Sequence, residues 1–466
     1  MAVDYNNILN GIEKRFRLIS GGIDKAALFA SRVSTGVLMQ DLILGGGIMP
    51  GWYTIYGGEG AAKSTTVMSI IANSLNHEIP IVSLWDYEQA VDPQYLGNIL
   101  EGIAPGGDYL TLMGERSPKT GKWAIMPRVR YYSADVGEDF YLSMGAMLRM
   151  LPDKIFTNDK WWYVFPNTKE GRAQAGGKHN KKMFTETGMY YVEAEDGGRL
   201  QALILLDSYQ AMNPDAQEDD SPNGSMAQDA RMHAAHIKKV RGKLRKKHCA
   251  VIGISQLRVN PGQRFGNPEY LSGGNALKHA ADGRNKQTPR SSPHGSGPVE
   301  SEASVLCEDG TDMYKYIHCK NEKNKFATPH CQGWLRIWID HEGEGRGFCP
   351  AYDVFQYLLH TGRIDAGASA KEKGMIPKKF RLNLPDYGID LEMGWLDFKA
   401  IVLLEGEELK AQCANLGIKK NPRLRQRCFE EMNSGVGFEL YHSLRVGGGK
   451  SEEVEDEDEV EIDDEE

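Results

Sequence analysis

No apolar run in this 466-residue chain approaches the length of a membrane-crossing helix. The opening MAVDYNNILNGIEKRF has no apolar core of the kind that a secretory signal carries. Membrane residence is not expected; the expected location is the cytoplasm. Cysteine is scarce: Cys249, Cys307, Cys319, Cys331, Cys349, Cys413 and Cys428 are odd in number and form no C-x-x-C pair. That argues against a disulfide framework and for reduced thiols. Three His-Cys dipeptides (248–249, 318–319 and 330–331) match no zinc-finger spacing. Buried, inert thiols are expected there rather than a metal site.

Positive charge looks deficient, but only because of one segment. Residues 451–466 (SEEVEDEDEVEIDDEE) hold twelve carboxylates and no cation, and without them the net charge of −9 becomes +3. A block like this cannot bury enough apolar surface to order itself and is expected to be disordered. It reads either as a solubilising tail or as an internal competitor for a cationic surface. The length suits one large α/β domain with a smaller one beside it.

The most informative segment is Y-G-G-E-G-A-A-K-S-T at 56–65. An apolar strand is expected over 52–56, then a glycine-rich turn, then a helix over 65–75. That order builds a phosphate-binding loop: backbone N–H groups cradle the phosphates, Lys63 reaches the β and γ oxygens, and Ser64 holds Mg²⁺. The loop residues are Gly57, Gly58, Glu59, Gly60, Ala61, Ala62, Lys63, Ser64 and Thr65. Ala62 stands where the last glycine of the motif belongs. Its methyl group is tolerable if φ there is negative or if the loop opens slightly.

A second buried strand, 81–85, ends just before Glu88, where a carboxylate can orient and deprotonate an attacking water. Asp92-Pro93 opens a helix, with Asp92 and Tyr95 placed to contact a nucleotide base. A third strand, 202–206, is wholly apolar and ends in Asp207-Ser208, a Walker B pattern in which the aspartate holds Mg²⁺ through water. A fourth, 250–254, runs into Gln256 and a long glycine-rich loop, 259–274.

That loop carries F-G-N-P-E at 265–269 and G-G-N-A-L-K at 273–278. It resembles the second DNA-binding loop of the RecA recombinase family. Other segments fall into the same register: S-T-G at 34–36, the phosphate loop with its internal Glu59, and E-x-A-x-D-P-x-Y at 88–95. So do D-S at 207–208, A-R-M at 230–232, and K-N-K at 323–325 followed by Ala327 and Pro329. The resemblance covers most of residues 5–365 apart from insertions. Ala62 departs from the bacterial pattern, but phage relatives of the UvsX type also lack that glycine.

The resemblance implies an α/β fold. Its centre is a RecA-like P-loop ATPase core, a mainly parallel sheet flanked by helices, with an N-terminal oligomerisation helix and a small α+β C-terminal domain. The expected division is 1–32 for protomer docking, 33–345 for the core with insertions at about 105–130 and 152–199, 346–450 for a DNA-gathering domain, and 451–466 for the tail. It implies ATP and Mg²⁺ as cofactors, with Lys63, Ser64 and Thr65 on triphosphate and metal, Glu88 catalytic, and Asp92 and Tyr95 at the base. Asp207 would stand in the metal shell, and Gln256 would sense the γ-phosphate and relay its presence to the adjoining loop. Lys323 and Lys325, at alternate strand positions, would reach a neighbouring subunit's γ-phosphate, so the site would be complete only in a polymer.

The implied partners are single-stranded DNA, homologous duplex DNA and further copies of the chain in a helical filament. A single-strand-binding protein and a loading mediator are further candidates. DNA contact is expected from a first loop, 213–226, and from the second, 259–274. Helix residues Arg231, Lys238 and Arg245 share one stripe by their seven-residue spacing. The candidate DNA residues are Met226, Arg231, Lys238, Arg258, Arg264, Phe265, Gly266, Asn267, Gly273, Gly274, Asn275, Lys278 and Arg284. Such phosphate contacts are salt-sensitive and indifferent to sequence. The acidic triplet Glu218-Asp219-Asp220 is unhelpful to the first loop.

Residues 5–16 read as a short amphipathic helix through Ile8, Leu9, Ile12 and Phe16. In the family it docks on the adjacent protomer, whereas physics alone supports packing on its own domain. The insertion 152–199 reads as a projecting β-hairpin. Two aromatic strands (160–165 and 189–192) would flank a basic tip holding Lys169, Arg172, Lys178, Lys181 and Lys182. Nucleic acid or a neighbouring protomer could be its partner. Lysines and arginines at 378–381 and 419–427 make the C-terminal domain basic. A hexameric RecA-like replicative helicase is the alternative function, and a non-catalytic ATP-gated DNA scaffold is a third.

Overall fold

The computed structural model describes residues 31–166, 168–176, 189–214, 222–259, 269–271, 274–290, 305–306, 313–339 and 344–441. The helix expected at 5–16, the triplet 218–220, Arg264, Phe265, Gly266, Asn267, Gly273, Lys178, Lys181, Lys182 and the acidic tail lie outside these residues.

The first strands are β1 (Gly51–Gly57), β2 (Ile81–Asp86), the pair β3 (Glu115–Arg116) and β4 (Trp123–Ile125), and β5 (Val129–Tyr132). Next come β6 (Asp153–Thr157), β7 (Lys160–Pro166), β8 (Met189–Glu193), β9 (Ala202–Asp207), β10 (Cys249–Val259) and β11 (Glu269–Leu271). β12 (Gly283–Arg290), β13 (Val305–Leu306), β14 (Met313–Asn324), β15 (Gln332–Ile339) and β16 (Gly345–Phe348) follow, and then β17 (Ile364–Asp365), β18 (Phe380–Leu384) and β19 (Ile389–Met393).

The main sheet runs β16-β15-β14-β12-β1-β10-β9-β2-β5, with β11 added to β10 and β13 to β14. Every pairing from β12 through β1, β10, β9 and β2 to β5 is parallel. The outer strands β14, β15 and β16 are joined antiparallel. The fold is thus α/β, a mostly parallel sheet flanked by helices.

Burial on both faces explains the apolar strands. In β9, Leu203 and Leu205 pack with Val67, Ile70 and Ile71 of helix Lys63–Asn73 and with Leu96 and Leu100 of helix Pro93–Ile103. The alternating Ile204 and Leu206 pack on the opposite face with Phe140 and Met144 of helix Gly137–Met150 and with Val240 and Leu244 of helix Pro222–Lys246. Parallel strands end together, so their carboxyl ends form one rim, and the phosphate loop stands on it.

The insertion 152–199 differs from a two-stranded hairpin. It is a three-stranded antiparallel sheet, β6-β7-β8, because Asp153–Thr157 adds a strand. The turn between β6 and β7 is Asn158-Asp159 with φ of 52° and 57°, the left-handed pair that a two-residue hairpin needs. Lys169 and Arg172 lie on a helix, Lys169–Gln174, rather than on a loop tip. The sheet is anchored to the core: Trp161 meets His248 edge-on at 4.5 Å, and Lys247 pairs with Asp153 at 2.7 Å. In the other insertion, β3 and β4 form a hairpin, but β5 belongs to the main sheet beside β2.

Both expected DNA loops are shorter than anticipated. Helix Pro222–Lys246 takes up the end of the first, so Met226 is helical. In the second, β11 pairs with an extended β10, and Gly274 and Asn275 start the helix Gly274–Ala280.

Beyond β16, which crosses the expected 345/346 boundary, helix Pro350–His360 and the small sheet β17-β18-β19 share an apolar cluster with helix Leu38–Leu44 and with β14 and β15. Asp353 reinforces this junction by accepting the N–H groups of Leu38 and Met39 at 2.7 and 2.9 Å. Among the described residues no helix is long and apolar enough to cross a membrane. Cys249, Cys319 and Cys331 are fully buried. Burial pushes the Cys249 thiol up to about 12.

Candidate nucleotide site

β1 delivers the chain to the rim, where a turn must leave β1 without striking β12. At Gly57 a Cβ would lie 2.1 Å from the Gln287 carbonyl oxygen, so only glycine fits. Gly60 then adopts a φ of 63°, and so does Ala62. Ala62 therefore does not take the negative φ that its methyl group favours. It occupies the left-handed region at the N-cap of helix Lys63–Asn73.

Lys63 folds back over this loop, donating to the carbonyls of Gly57 at 3.2 Å and Gly58 at 2.6 Å. Burial lowers its pKa, against the pull of Asp207, Glu88 and Glu59. The cleft above has a volume of about 570 Å³. Lys63, Ser64 and Thr65 meet Glu88, Asp207 and Gln256 there, with Lys315 and Ile337 on another wall. Every cleft residue named here except Lys315 and Ile337 was a sequence expectation.

Asp207 is pushed up to about 6, first by burial and then by the charges of Glu88 and Asp86; a hydrogen bond from Ser64 and the charge of Lys63 oppose the shift. Asp86 leaves one buried oxygen, Oδ1, without a hydrogen-bond partner. The cleft itself is lined by the carboxylates of Glu59, Glu88 and Asp207, which suits a bound cation. Among the described residues no group of three or more His, Cys, Asp or Glu side chains could cage a metal by itself. Ser64 and Asp207 offer two oxygen ligands, which fits Mg²⁺, an ion that completes its shell with phosphate oxygens and water.

Glu88 Oε1 accepts the hydroxyl of Ser208 at 2.5 Å and the amide of Gln256 at 3.5 Å. Gln256 is carried by β10, next to Ser255, which accepts from Gln210 at 2.8 Å. Beside the cleft residue Thr65, the Tyr95 hydroxyl lies 2.9 Å from Thr65 Oγ1, and its ring packs so close to Gly345 that a Cβ there would come within 2.8 Å. Asp92 is used as a helix cap: its Oδ1 accepts from the Gln94 and Tyr95 N–H groups at 2.9 and 3.4 Å.

Lys323 and Lys325 stand elsewhere. Lys323 donates to the carbonyls of Lys278 and His279 at 3.3 and 3.2 Å, and Lys325 pairs with Asp282 at 3.3 Å. Asp282 also accepts the Trp52 N–H at 3.0 Å, at the start of β1 and therefore at the opposite end from the phosphate loop. These lysines do not share a cleft with Lys63. They are also not an alternating strand pair: β14 ends at Asn324, whose side chain turns the chain by accepting from Phe326 N and Ala327 N.

On helix Pro222–Lys246, Arg231 and Lys238 are exposed while Ile237 and Val240 are buried. Arg245, expected on the same stripe, instead joins Arg241 on Asp282 at 2.9 and 3.2 Å. Burial pushes the Asp282 carboxyl up, but the Trp52 N–H, Arg245, Arg241 and Lys325 outweigh it and hold the group below the usual range. Arg284 is partly buried and lies 3.7 Å from Glu322. Nothing in the sequence distinguishes Arg241 and Asp282 from solvated charges.

Residues 196–333 match the family model of the RecA N-terminal domain. The chain is 27% identical over 331 residues to Protein RecA of Arthrospira platensis, which is 70% of this chain and 67% of that protein. With Protein RecA of Bacteroides thetaiotaomicron it is 30% identical over 237 residues, 50% of this chain and 57% of the other. Its likeness is to RecA. The segment that matches the RecA model takes in Asp207, Gln256, Lys323 and Lys325, while the phosphate loop lies upstream of it. An overlay on the crystal structure of the RadB recombinase covers 68% of this chain and 97% of that one, at a TM-score of 0.36 and 14% identity.

Proposed function

We propose that this chain is an ATP-dependent DNA recombinase. It assembles on single-stranded DNA as a helical filament of its own copies, pairs that strand with a homologous duplex, and exchanges strands. It hydrolyses ATP when DNA is bound. One observation carries this reading most directly: β10 holds Gln256 against Glu88 in the cleft and three residues later enters the segment that resembles a DNA-binding loop. A single stiff strand therefore joins the phosphate end to the nucleic-acid end.

In this scheme Lys63 and Ser64 hold the phosphates, Ser64 and Asp207 hold Mg²⁺, and Glu88 orients the attacking water. Mg²⁺, when bound, neutralises charge on the phosphate oxygens. Lys323 and Lys325, at the far end of β1, complete a neighbour's site. Arg231 and Lys238 grip DNA phosphates. Ala62 and the long insertions support a viral, UvsX-like branch, and the site of action is then the host cytoplasm. Single-strand-binding and loading proteins are proposed partners.

The test is a strand-exchange assay with purified protein, single-stranded circles and homologous linear duplex, run alongside ATP hydrolysis. Exchange that requires ATP and homology supports the reading. Directional unwinding by ring particles, without pairing, would transfer the protein to the hexameric helicase class.

A further inference from the structure

The nucleotide cleft has a polarity that the strand order defines. Asp207 ends β9, Glu88 follows β2 by two residues, and Gln256 of β10 lies beside Gly57, all to one side of β1 and its loop. On the other side of β1 the order is β12, β14, β15 and β16. Lys315 of β14 lies opposite Ile337 of β15 in the register, and both line the cleft. The Tyr95 ring rests on Gly345 at the start of β16, one strand further out. A nucleotide with its γ-phosphate at Glu88 and its base toward Tyr95 would have to cross the sheet positions between them, where Lys315 lines the cleft.

Charge points the same way. Three carboxylates line the cleft, Glu59, Glu88 and Asp207, against Lys63 on the loop side. Lys323 and Lys325 are at the far end of the sheet and cannot serve their own loop. Without another cation a lone protomer would have to hold a polyphosphate on one lysine in a carboxylate-rich cleft.

We propose that Lys315 is a second phosphate ligand supplied by the same chain, placed at the α-phosphate of the bound nucleotide. This rests on reading the cleft as a nucleoside triphosphate site. It adds that one protomer captures nucleotide before any neighbour completes the site. The α-phosphate is common to ADP and ATP and is not where bonds are broken. Lys315 therefore sets affinity for both nucleotides alike and leaves the chemical step alone.

The experiment is equilibrium binding of Mg-ATP and Mg-ADP to the full chain without DNA, for wild type, K315M, K315R and K63A, with melting curves as the folding control. K315M is expected to weaken both nucleotides equally, by about tenfold, as loss of one charge-assisted contact does. K315R should recover most of that loss. In DNA-stimulated turnover, KM for ATP should rise by the same factor with kcat held within about twofold. Wild-type affinity in K315M, a loss confined to ATP, or a fall in kcat instead of a rise in KM would overturn the assignment. If K63A loses binding and K315M does not, only the role of Lys315 fails. If wild type binds neither nucleotide, the nucleotide reading fails with it.

Discussion

Gln256 Nε2 stands 3.5 Å from Glu88 Oε1, the oxygen that Ser208 already holds at 2.5 Å. The contact is long, whereas the one from Ser208 is short. A phosphate entering the cleft would offer the Gln256 amide a closer acceptor than Glu88 at 3.5 Å. β10 continues from Gln256 to Val259, so in the proposed scheme a shift of that amide would be passed along the strand to the segment beyond it.

Gln256→Ala is accordingly expected to bind ATP with near wild-type affinity while losing the response to DNA. Hydrolysis measured with and without single-stranded DNA should show stimulation reduced by about tenfold or more. Full stimulation in the variant would remove Gln256 from the relay.

Glu88→Gln keeps the shape and the hydrogen bond from Ser208 but cannot take a proton. Turnover should fall by roughly 10² or more, the scale of a general-base contribution. ATP-dependent retention on single-stranded DNA, read by filter binding, should survive. A variant that hydrolyses ATP normally would move the base elsewhere.

Asp207 has its pKa raised to about 6, above the unfolded value of about 3.9. The folded state therefore binds the proton more tightly, and wild type loses stability as pH rises from about 4 through 6. Asp207→Asn escapes this, so the nucleotide-free variant should gain stability at pH 7.5, on the order of 1 kcal/mol, and little at pH 4.5. Urea titrations at the two values check it. The same variant should lose Mg²⁺-dependent nucleotide binding.

Ala62 holds a φ of 63°, a conformation that costs a non-glycine residue about 1–2 kcal/mol. Ala62→Gly is expected to raise stability by about 0.5–1 kcal/mol, part of the relief being offset by glycine's greater freedom in the unfolded chain. Gly57→Ala should do the reverse, because its Cβ would meet the Gln287 carbonyl at 2.1 Å. A loss of about 2 kcal/mol or more is expected, again by urea titration.

Much of the cleft was legible because its chemistry is local. The run from Gly57 to Thr65 announces a phosphate loop, and an apolar strand ending in Asp207 announces a carboxylate on the rim. Asp92-Pro93 marks a helix start, although the structure uses Asp92 for the cap itself. The Asn158-Asp159 pair carries a two-residue turn signal, but aromatic runs on either side of a basic stretch fit a longer hairpin equally well. Arg245 looked like one more cation on a stripe. Its pairing with Asp282 depends on two helices meeting, and spacing along one helix says nothing about that.

Sequence by itself determined which short segments could turn, cap or bury themselves, since φ preferences, apolar runs and loop glycines act over a few residues. Tertiary structure alone decided which charges share a space. Sheet order and register put Lys315 on the wall opposite Glu88 and sent Lys323 and Lys325 to the far end of β1. Coulomb interactions depend on distance through space, and only the packed sheet turns separation along the chain into that distance.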